Sequence, residues 1–278
     1  MTEHDFDYVR ALVRERSGLV LTQDKSYLID SRLSPVARRE GFATLSELIA
    51  VVRNRRDERL ARAITDAMTT NETFFFRDKT PFELMKTDVM PILARARATA
   101  GRVRIWCAAA STGQEPYSLA MLLDQMAPQL GGVQVDIVAT DISDRALAKA
   151  KSGLYTQFEV QRGLPVQLMV KYFEKQGELW AIKDSIKHRV EYKLFNLLDS
   201  PAALGRFDIV FCRNVLIYFD QETKSMVLNR MAQLLPQDGF LFLGAAETVM
   251  GLTTAFQPAQ GRRGLYQRTQ DDKARAVA

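Results

Sequence analysis

From Gly101 onward the chain alternates short apolar runs with amphipathic ones, and that alternation limits the architectures open to it. Arg102 to Ala108 reads as a strand, Gln114 to Met126 as a helix, Val133 to Thr140 as a strand and Asp144 to Ser152 as a helix. Phe207 to Cys212, Gln221 to Leu235 and Phe240 to Gly244 repeat strand, helix, strand. Strands separated by helices argue for a parallel sheet covered on both faces, so the expected class is α/β with a doubly wound sheet. Thr80-Pro81 marks the helix that introduces this part, with threonine capping and proline at the first helical position. Glu178 to Lys183 and Arg189 to Phe195 interrupt the alternation and read as a hairpin insertion closed by Asp184 to His188.

Residues 1 to about 70 read as helices throughout. Between Asp24 and Glu40, Ile29, Leu33, Val36 and Ala37 form one apolar stripe, while Lys25, Arg32 and Arg39 lie seven apart on another face. Gly41 is expected to stop this helix and Pro35 to kink it or split it near Ser34. Thr44 and Glu47 form a capping box for a helix over Thr44 to Val52. The polar end, Thr269 to Ala278, is expected to fray.

Composition narrows the chemistry. With 278 residues, 47% hydrophobic and 26% charged, the chain is an ordinary globular protein. Cys107 and Cys212 lie in apolar runs without CxxC spacing, and His4 and His188 lie in no motif, which argues against metallohydrolase and Ser-His-Asp chemistry. No window reaches the roughly 18 apolar residues of a membrane span, and the acidic start lacks the features of a secretory signal, so a cytoplasmic location is expected. A net charge of +5 permits an acidic partner without demanding nucleic acid.

The strongest chemical signal is RIWCAAASTGQEPYSLA, Arg104 to Ala120: a strand ending in small residues, a turn with Gly113, then a helix start. In a doubly wound sheet the ligand sits at the carboxyl ends of the strands, where small residues such as Ala108 admit a cofactor to the backbone. The same alanines are also read as tight packing. The loop is not GxGxxG, so a dinucleotide fits poorly. Asp141, ending VDIVATD, is placed to accept from ribose hydroxyls, although an aspartate there also serves as a cap or turn residue. Together the two signals point to S-adenosylmethionine and methyl transfer. FDIVFCRNVLIYFD puts Arg213 and Asn214 after a buried strand, with Tyr218 a helical turn beyond; they face the same crevice or are plain loop residues. TTNETFFFRD joins the two parts of the chain. Phe74 to Phe76 read as an anchor, and Asn71, Thr73 and Arg77 as rigidly held polar groups beside a cofactor.

At these segments the sequence resembles the CheR-type chemotaxis methyltransferases, which methylate glutamate side chains of bacterial chemoreceptors. TTNETFFFRD, AAASTGQEPYSLA, ATDIS, FNLL and FCRNVLIYFD carry the likeness, which runs over nearly the whole chain. It implies a class I methyltransferase fold, Rossmann-like, with residues 1–70 as a helical receptor-docking domain. It further implies a linker at 71–85 that contributes to the cofactor site, and a catalytic domain at 86–278 with a β-subdomain inserted at about 155–196. Asn71, Thr73, Arg77, Ala108, Glu115 and Asp141 would contact S-adenosylmethionine or its product S-adenosylhomocysteine. Asn196 and Leu197 would lie beside the adenine, Arg213 and Asn214 at the methionine end, and Arg77 and Tyr218 near the reacting sulfur. Lys25, Arg32, Arg38 and Arg39 would form the receptor-binding face.

Two departures from the family pattern bear on the partner. Pro35 and Val36 stand where the best-known members carry arginines, and the hairpin loop is shorter than in members that bind a receptor-terminal pentapeptide, so no such tether is expected. The implied enzyme is a monomer that meets the membrane only through receptor cytoplasmic domains. An RNA-directed or small-molecule methyltransferase is one rival, and an inactive cofactor-binding sensor or adaptor another. Residues 1–70 hold twelve Lys/Arg against eleven Asp/Glu, a balance that disfavours RNA. Every motif residue is present, which disfavours lost turnover.

Overall fold

The computed structural model describes residues 2–269, so the polar end expected to fray lies, from Gln270 on, outside the described residues. The chain divides into two compact units, one formed by Met1–Thr70 with Tyr218–Thr223, the other by Asn71–Ile217 with Lys224–Ala278.

The first unit contains helices α1 (Glu3–Ser17), α2 (Ser26–Arg39), α3 (Leu45–Arg55) and α4 (Glu58–Met68). Their apolar stripes meet in one core. Phe6, Val9 and Val13 come from α1, and Ile29, Leu33, Val36 and Ala37 of the α2 stripe are all buried. The α2 terminus is a Schellman motif: Phe42 N–H donates to the Ala37 carbonyl at 2.9 Å and Gly41 N–H to Arg38 at 3.2 Å, with Gly41 at φ +82°. Pro35 does not split α2. It lies on the exposed face, where water can take up the Ser31 carbonyl that the missing N–H leaves unbonded. Thr44 caps α3 by accepting from Glu47 N–H at 3.2 Å, while the Glu47 carboxylate reaches back to Ala43 N–H at 3.0 Å. The short segment from the far part of the chain is held within this unit by Val20 N–H on the Tyr218 carbonyl, 2.9 Å, and by Arg14 on Asp220, 2.7 Å.

The second unit opens with α5 (Thr80–Leu84), a π-helical turn at Met85–Val89, and α6 (Met90–Ala96). The Thr80 hydroxyl does not cap α5. The N-cap position falls on Lys79, which has φ +46° and no side-chain cap bond. The sheet elements follow as β1 (Arg102–Ala108), α7 (Gln114–Gln125), β2 (Gln134–Asp141) and α8 (Asp144–Ser152). Next come β3 (Leu154–Thr156), α9 (Gln157–Gln161), α10 (Val166–Tyr172), β4 (Phe173–Gln176), β5 (Leu179–Ile182), α11 (Asp184–Lys187) and β6 (Val190–Leu194). The chain then forms β7 (Ile209–Cys212), α12 (Gln221–Leu234), β8 (Phe240–Leu243), β9 (Phe256–Pro258) and β10 (Leu265–Arg268).

Seven strands form the main sheet in the order β6-β2-β1-β7-β8-β10-β9. The five from β6 to β8 are parallel, as the alternation predicts, and β10 and β9 add an antiparallel end. Strand β1 shows why both faces are covered. Val103, Ile105 and Cys107 enter the main core, while Trp106 packs on the other face against Phe207 and Phe195, with centroids 5.7 and 5.9 Å away. From β1 the order runs to β2 and β6 on one side and to β7 and β8 on the other, so the switch point lies between β1 and β7. Ala108 pairs with Thr140 and with Cys212, which brings the ends of β1, β2 and β7 to one level.

The expected hairpin is not the one that forms. Arg189 to Phe195 does not pair with Glu178 to Lys183; β6 runs parallel to β2 in the main sheet, and Asp184–Lys187 is a helical turn. The hairpin is β4-β5, closed by Gly177 and Glu178, in a second sheet of order β3-β5-β4. Positive φ falls on Gly177 (+61°) and not on Glu178, as a type II′ turn requires. Its glycine was the available signal, and the apolar run in Arg189 to Phe195 belongs to a buried parallel strand instead.

The segment before α5 is fixed by packing. Phe75 is fully buried, edge-on to Tyr155 at 5.2 Å and to Phe173 at 5.5 Å, so it anchors the linker in the core of the second unit. Gly163, between α9 and α10, has φ +86°, and a Cβ there would collide with the Phe75 carbonyl oxygen. Gly163→Ala is therefore expected to destabilise the protein by about 2–4 kcal/mol, from unfavourable φ plus backbone displacement, as read by urea denaturation.

Candidate functional site

The carboxyl ends of β1, β2 and β7 release three loops, and polar groups tie them to the linker. After β1 the chain turns through Ala109 (φ +61°), Ser111 (φ +53°) and Gly113 (φ +95°) before α7 begins. Ser111 N–H donates to Asp141 Oδ2 at 2.7 Å, and its hydroxyl donates to the Asn71 carbonyl at 2.8 Å. Phe76 N–H donates to the Ser118 hydroxyl on α7 at 2.9 Å. The first loop, the second loop and the linker are thus bonded into one frame.

Arg213, the first residue after β7, closes that frame. Its side chain is 1% exposed, and its Nη1 donates to Glu115 Oε2 at 2.6 Å. Its Nη2 donates to Asp78 Oδ2 at 2.7 Å and to the Arg77 carbonyl at 2.9 Å. Burial pushes the Glu115 carboxyl above its ordinary range, against the pull of Arg213. Glu115 Oε1 makes no hydrogen bond among the described residues, and Arg213 Nε is a buried donor without a partner there. A half-satisfied carboxylate beside a spare N–H is the polar complement of an amino-acid zwitterion, ammonium to one and carboxylate to the other.

Other residues expected at the site are placed as follows. Both oxygens of Asp141 accept a backbone amide, Oδ2 from Ser111 and Oδ1 from Ser143 at 2.9 Å, so the aspartate shapes the turn. Asn196 and Leu197 follow β6, half-buried, and Asn196 Oδ1 accepts from Leu198 N–H at 3.1 Å in an Asx turn; Phe195 N–H donates to the Asp141 carbonyl at 3.0 Å. Asn214 sits beside Arg213 at φ +60°. Thr73 is half-buried. The Arg77 side chain is turned back along its own linker, donating to the Glu72 carbonyl at 2.8 Å and lying 5.6 Å from the Phe74 ring. Arg162 approaches the same ring at 4.6 Å and pairs with the Glu72 carboxylate at 2.7 Å. Tyr218 falls in the helical unit, packed against that unit's core.

Three tyrosines lie under the first loop. Tyr155 donates to the Thr112 carbonyl and Tyr117 to the Ala150 carbonyl, each at 2.8 Å, and burial pushes the Tyr117 hydroxyl up to about 12. A Cβ on Gly113 would stand 2.8 Å from the Tyr192 hydroxyl, so only glycine fits above them. Ser111, Asp78, Ser118 and Glu247 tie these loops together and were not singled out from sequence. Ser111, Ser118 and Asp78 lie inside the quoted motifs, and Glu247 shows only as a lone acid in the apolar run LFLGAAETVMGL.

The all-alpha domain of the CheR methyltransferases matches residues 4–69, and their S-adenosylmethionine-binding domain matches residues 71–265. The chain belongs to the CheR methyltransferase family. It is similar to chemotaxis protein methyltransferase 1 of Pseudomonas aeruginosa, 44% identical over 95% of this chain and 97% of that one. A chemotaxis protein methyltransferase of Vibrio parahaemolyticus is 42% identical, covering 93% of this chain and 94% of its own. The Escherichia coli chemotaxis protein methyltransferase is 33% identical, with 92% and 88% covered. This CheR-family chain is an S-adenosylmethionine-dependent methyltransferase, and no helix among its described residues is long and apolar enough to cross a membrane.

Removing Arg213 leaves Glu115 buried without its partner, a change that costs about 3–5 kcal/mol for a broken buried pair. Arg213→Ala is expected to lose stability on that scale in urea denaturation, and Arg213→Ala/Glu115→Gln to recover part of it. Strict additivity of the two changes would dissolve the coupling.

Proposed function

We propose that this enzyme transfers a methyl group to glutamate side chains in the cytoplasmic domains of chemoreceptors, forming glutamate 5-O-methyl esters, and acts as a monomer. The observation that carries this is the extent of the likeness to chemotaxis methyltransferases, 95% of the chain at 44% identity, which takes in the helical unit as well as the catalytic one. An enzyme of another substrate class would share the second unit alone.

S-adenosylmethionine supplies an activated methyl on a sulfonium. The chain's own residues have to bind, orient and dry the reactants. A glutamate carboxylate, with an ordinary pKa of about 4.3, is ionised at neutral pH and needs no general base. Holding it in line at about 3–3.5 Å from the methyl is worth roughly 7–11 kcal/mol. Glu115 suits the cofactor's ammonium, Arg213 and Asn214 its methionine end, Asp141 the ribose, and Asn196 with Leu197 the adenine edge. Asn71, whose carbonyl accepts from Ser111, and Thr73 on the same linker are proposed to complete the cofactor contacts. Arg77 springs from backbone held by Arg213, and its half-exposed side chain would leave the Glu72 carbonyl, its hydrogen-bond partner in this structure, to orient an incoming carboxylate.

The docking face is reduced by one arginine. Arg32 donates to the Met68 carbonyl at 2.6 Å and to the Thr70 hydroxyl at 3.0 Å, so it caps the α4 terminus. Lys25, Arg38 and Arg39 remain exposed on or beside α2 with Tyr27, and Arg39 pairs only with its neighbour Glu40. These cations are the proposed receptor contacts, complementary to an acidic methylation region. The β4-β5 hairpin closes in two residues and leaves no long connection to seat a receptor-terminal pentapeptide.

The direct test is incorporation of labelled methyl groups from S-adenosylmethionine into chemoreceptors in the host's membrane fraction, as base-labile esters. Arg77→Ala is expected to lower this turnover by about 100-fold or more with little change in stability. Labelling of RNA instead would overturn the proposal. Lys25→Glu/Arg38→Glu is expected to raise the KM for receptor, leave cofactor affinity unchanged and flatten the salt dependence, with no calorimetric binding of receptor C-terminal peptides to the parent enzyme.

A further inference from the structure

Glu247 lies outside the motifs that define the cofactor site, yet its carboxylate organises the loop that follows β7. Oε2 accepts from Asn214 N–H at 2.8 Å and from Gly244 N–H at 2.7 Å. Oε1 accepts from Val215 N–H at 2.9 Å and from Leu216 N–H at 2.7 Å. Four backbone amides from two loops converge on one side chain that is only 9% exposed. Each would otherwise be a desolvated donor near the crevice. An anionic, acceptor-only group is the side chain that satisfies them all.

The consequence falls on Asn214. It holds φ +60°, a region that non-glycine residues seldom adopt, and its N–H is one of the four that Glu247 fixes. Gly244 packs against both partners, since a Cβ there would stand 2.7 Å from Asn214 Nδ2, 2.7 Å from Glu247 Oε2 and 3.0 Å from Asn214 N. We infer that Glu247 is a positioning residue for the cofactor's amino-acid end, acting through the backbone of Asn214. The inference rests on the assignment of Asn214 to that end proposed above.

A Gln at this position turns one oxygen into an N–H2 that confronts two N–H donors, removing two of the four bonds with almost no change in volume. The test is calorimetric affinity for two ligands: S-adenosylhomocysteine, and 5′-methylthioadenosine, which keeps the adenosine and sulfur but lacks the amino-acid end. Glu247→Gln is expected to weaken the first by about ten-fold or more and the second by less than about two-fold. A merely structural carboxylate would weaken both alike or neither, and either result overturns the inference. Gly244→Ala keeps the negative charge but would set a Cβ 2.7 Å from both Glu247 Oε2 and Asn214 Nδ2, so it strains the same carboxylate–Asn214 contact from the opposite side; it is expected to show the same selective loss and decides the matter should Glu247→Gln not fold. Asn214→Ala separates the two readings. Selective loss in Asn214→Ala without it in Glu247→Gln overturns the positioning role alone, whereas no selective loss in Asn214→Ala overturns the Asn214 assignment and the inference with it.

Discussion

The buried guanidinium of Arg213 is the contact on which the catalytic unit's working end depends. It joins the end of β7 to the first turn of α7 through Glu115 and to the linker through Asp78 and the Arg77 carbonyl. Such a cluster is a poor source of stability, because desolvating each ion costs several kcal/mol before attraction repays it. What it provides is geometry: three segments far apart in sequence meet at one planar fork, and a lysine's single point charge would not define their angles.

Backbone strain is concentrated in the same region. Of the seven non-glycine residues with positive φ among the described residues, Phe76, Asp78, Lys79, Ala109, Ser111 and Asn214 lie in the linker and the loops after β1 and β7. Each costs on the order of 1–3 kcal/mol and persists only where surroundings over-determine it. The surroundings are on hand: Arg213 holds Asp78, Asp141 holds Ser111, Glu247 holds Asn214, and buried Phe75 fixes the chain beside Phe76. Anions accepting backbone amides recur as the device, and each turns an awkward conformation into a fixed donor array.

Elements whose burial is local were legible in sequence. The α2 stripe, the Gly41 stop and the parallel strands β1, β2, β7 and β8 follow from periodicity and turn chemistry alone. The hairpin was misassigned because two apolar runs a few residues apart read as partners, while the partner of Arg189 to Phe195 is β2, some fifty residues upstream, and nothing local encodes that pairing. Strands β9 and β10 are short and were not seen. At the site, the motif residues fall on the linker and on the loops after β1, β2, β6 and β7, while the bonds they make there were not legible. Arg32 resembles a docking cation by spacing and is spent on a helix terminus. Asp141 was expected to face a ligand and also shapes its own turn. Glu247 carries no motif, because its importance arises from four amides supplied by residues that are not near it in the chain, Gly244 excepted.

The two ends of the main sheet carry a further consequence. One border is β9, three residues long and ending in Pro258, which has no N–H to offer a neighbouring strand. The other is β6, where Glu191 and Lys193 alternate along the strand and pair at 3.0 Å. A short proline-terminated border and a charged one are both unfavourable templates for edge-to-edge association. A sheet with so apolar an interior is thereby kept from recruiting copies of itself, which protects against aggregation an enzyme whose core strands are nearly uncharged.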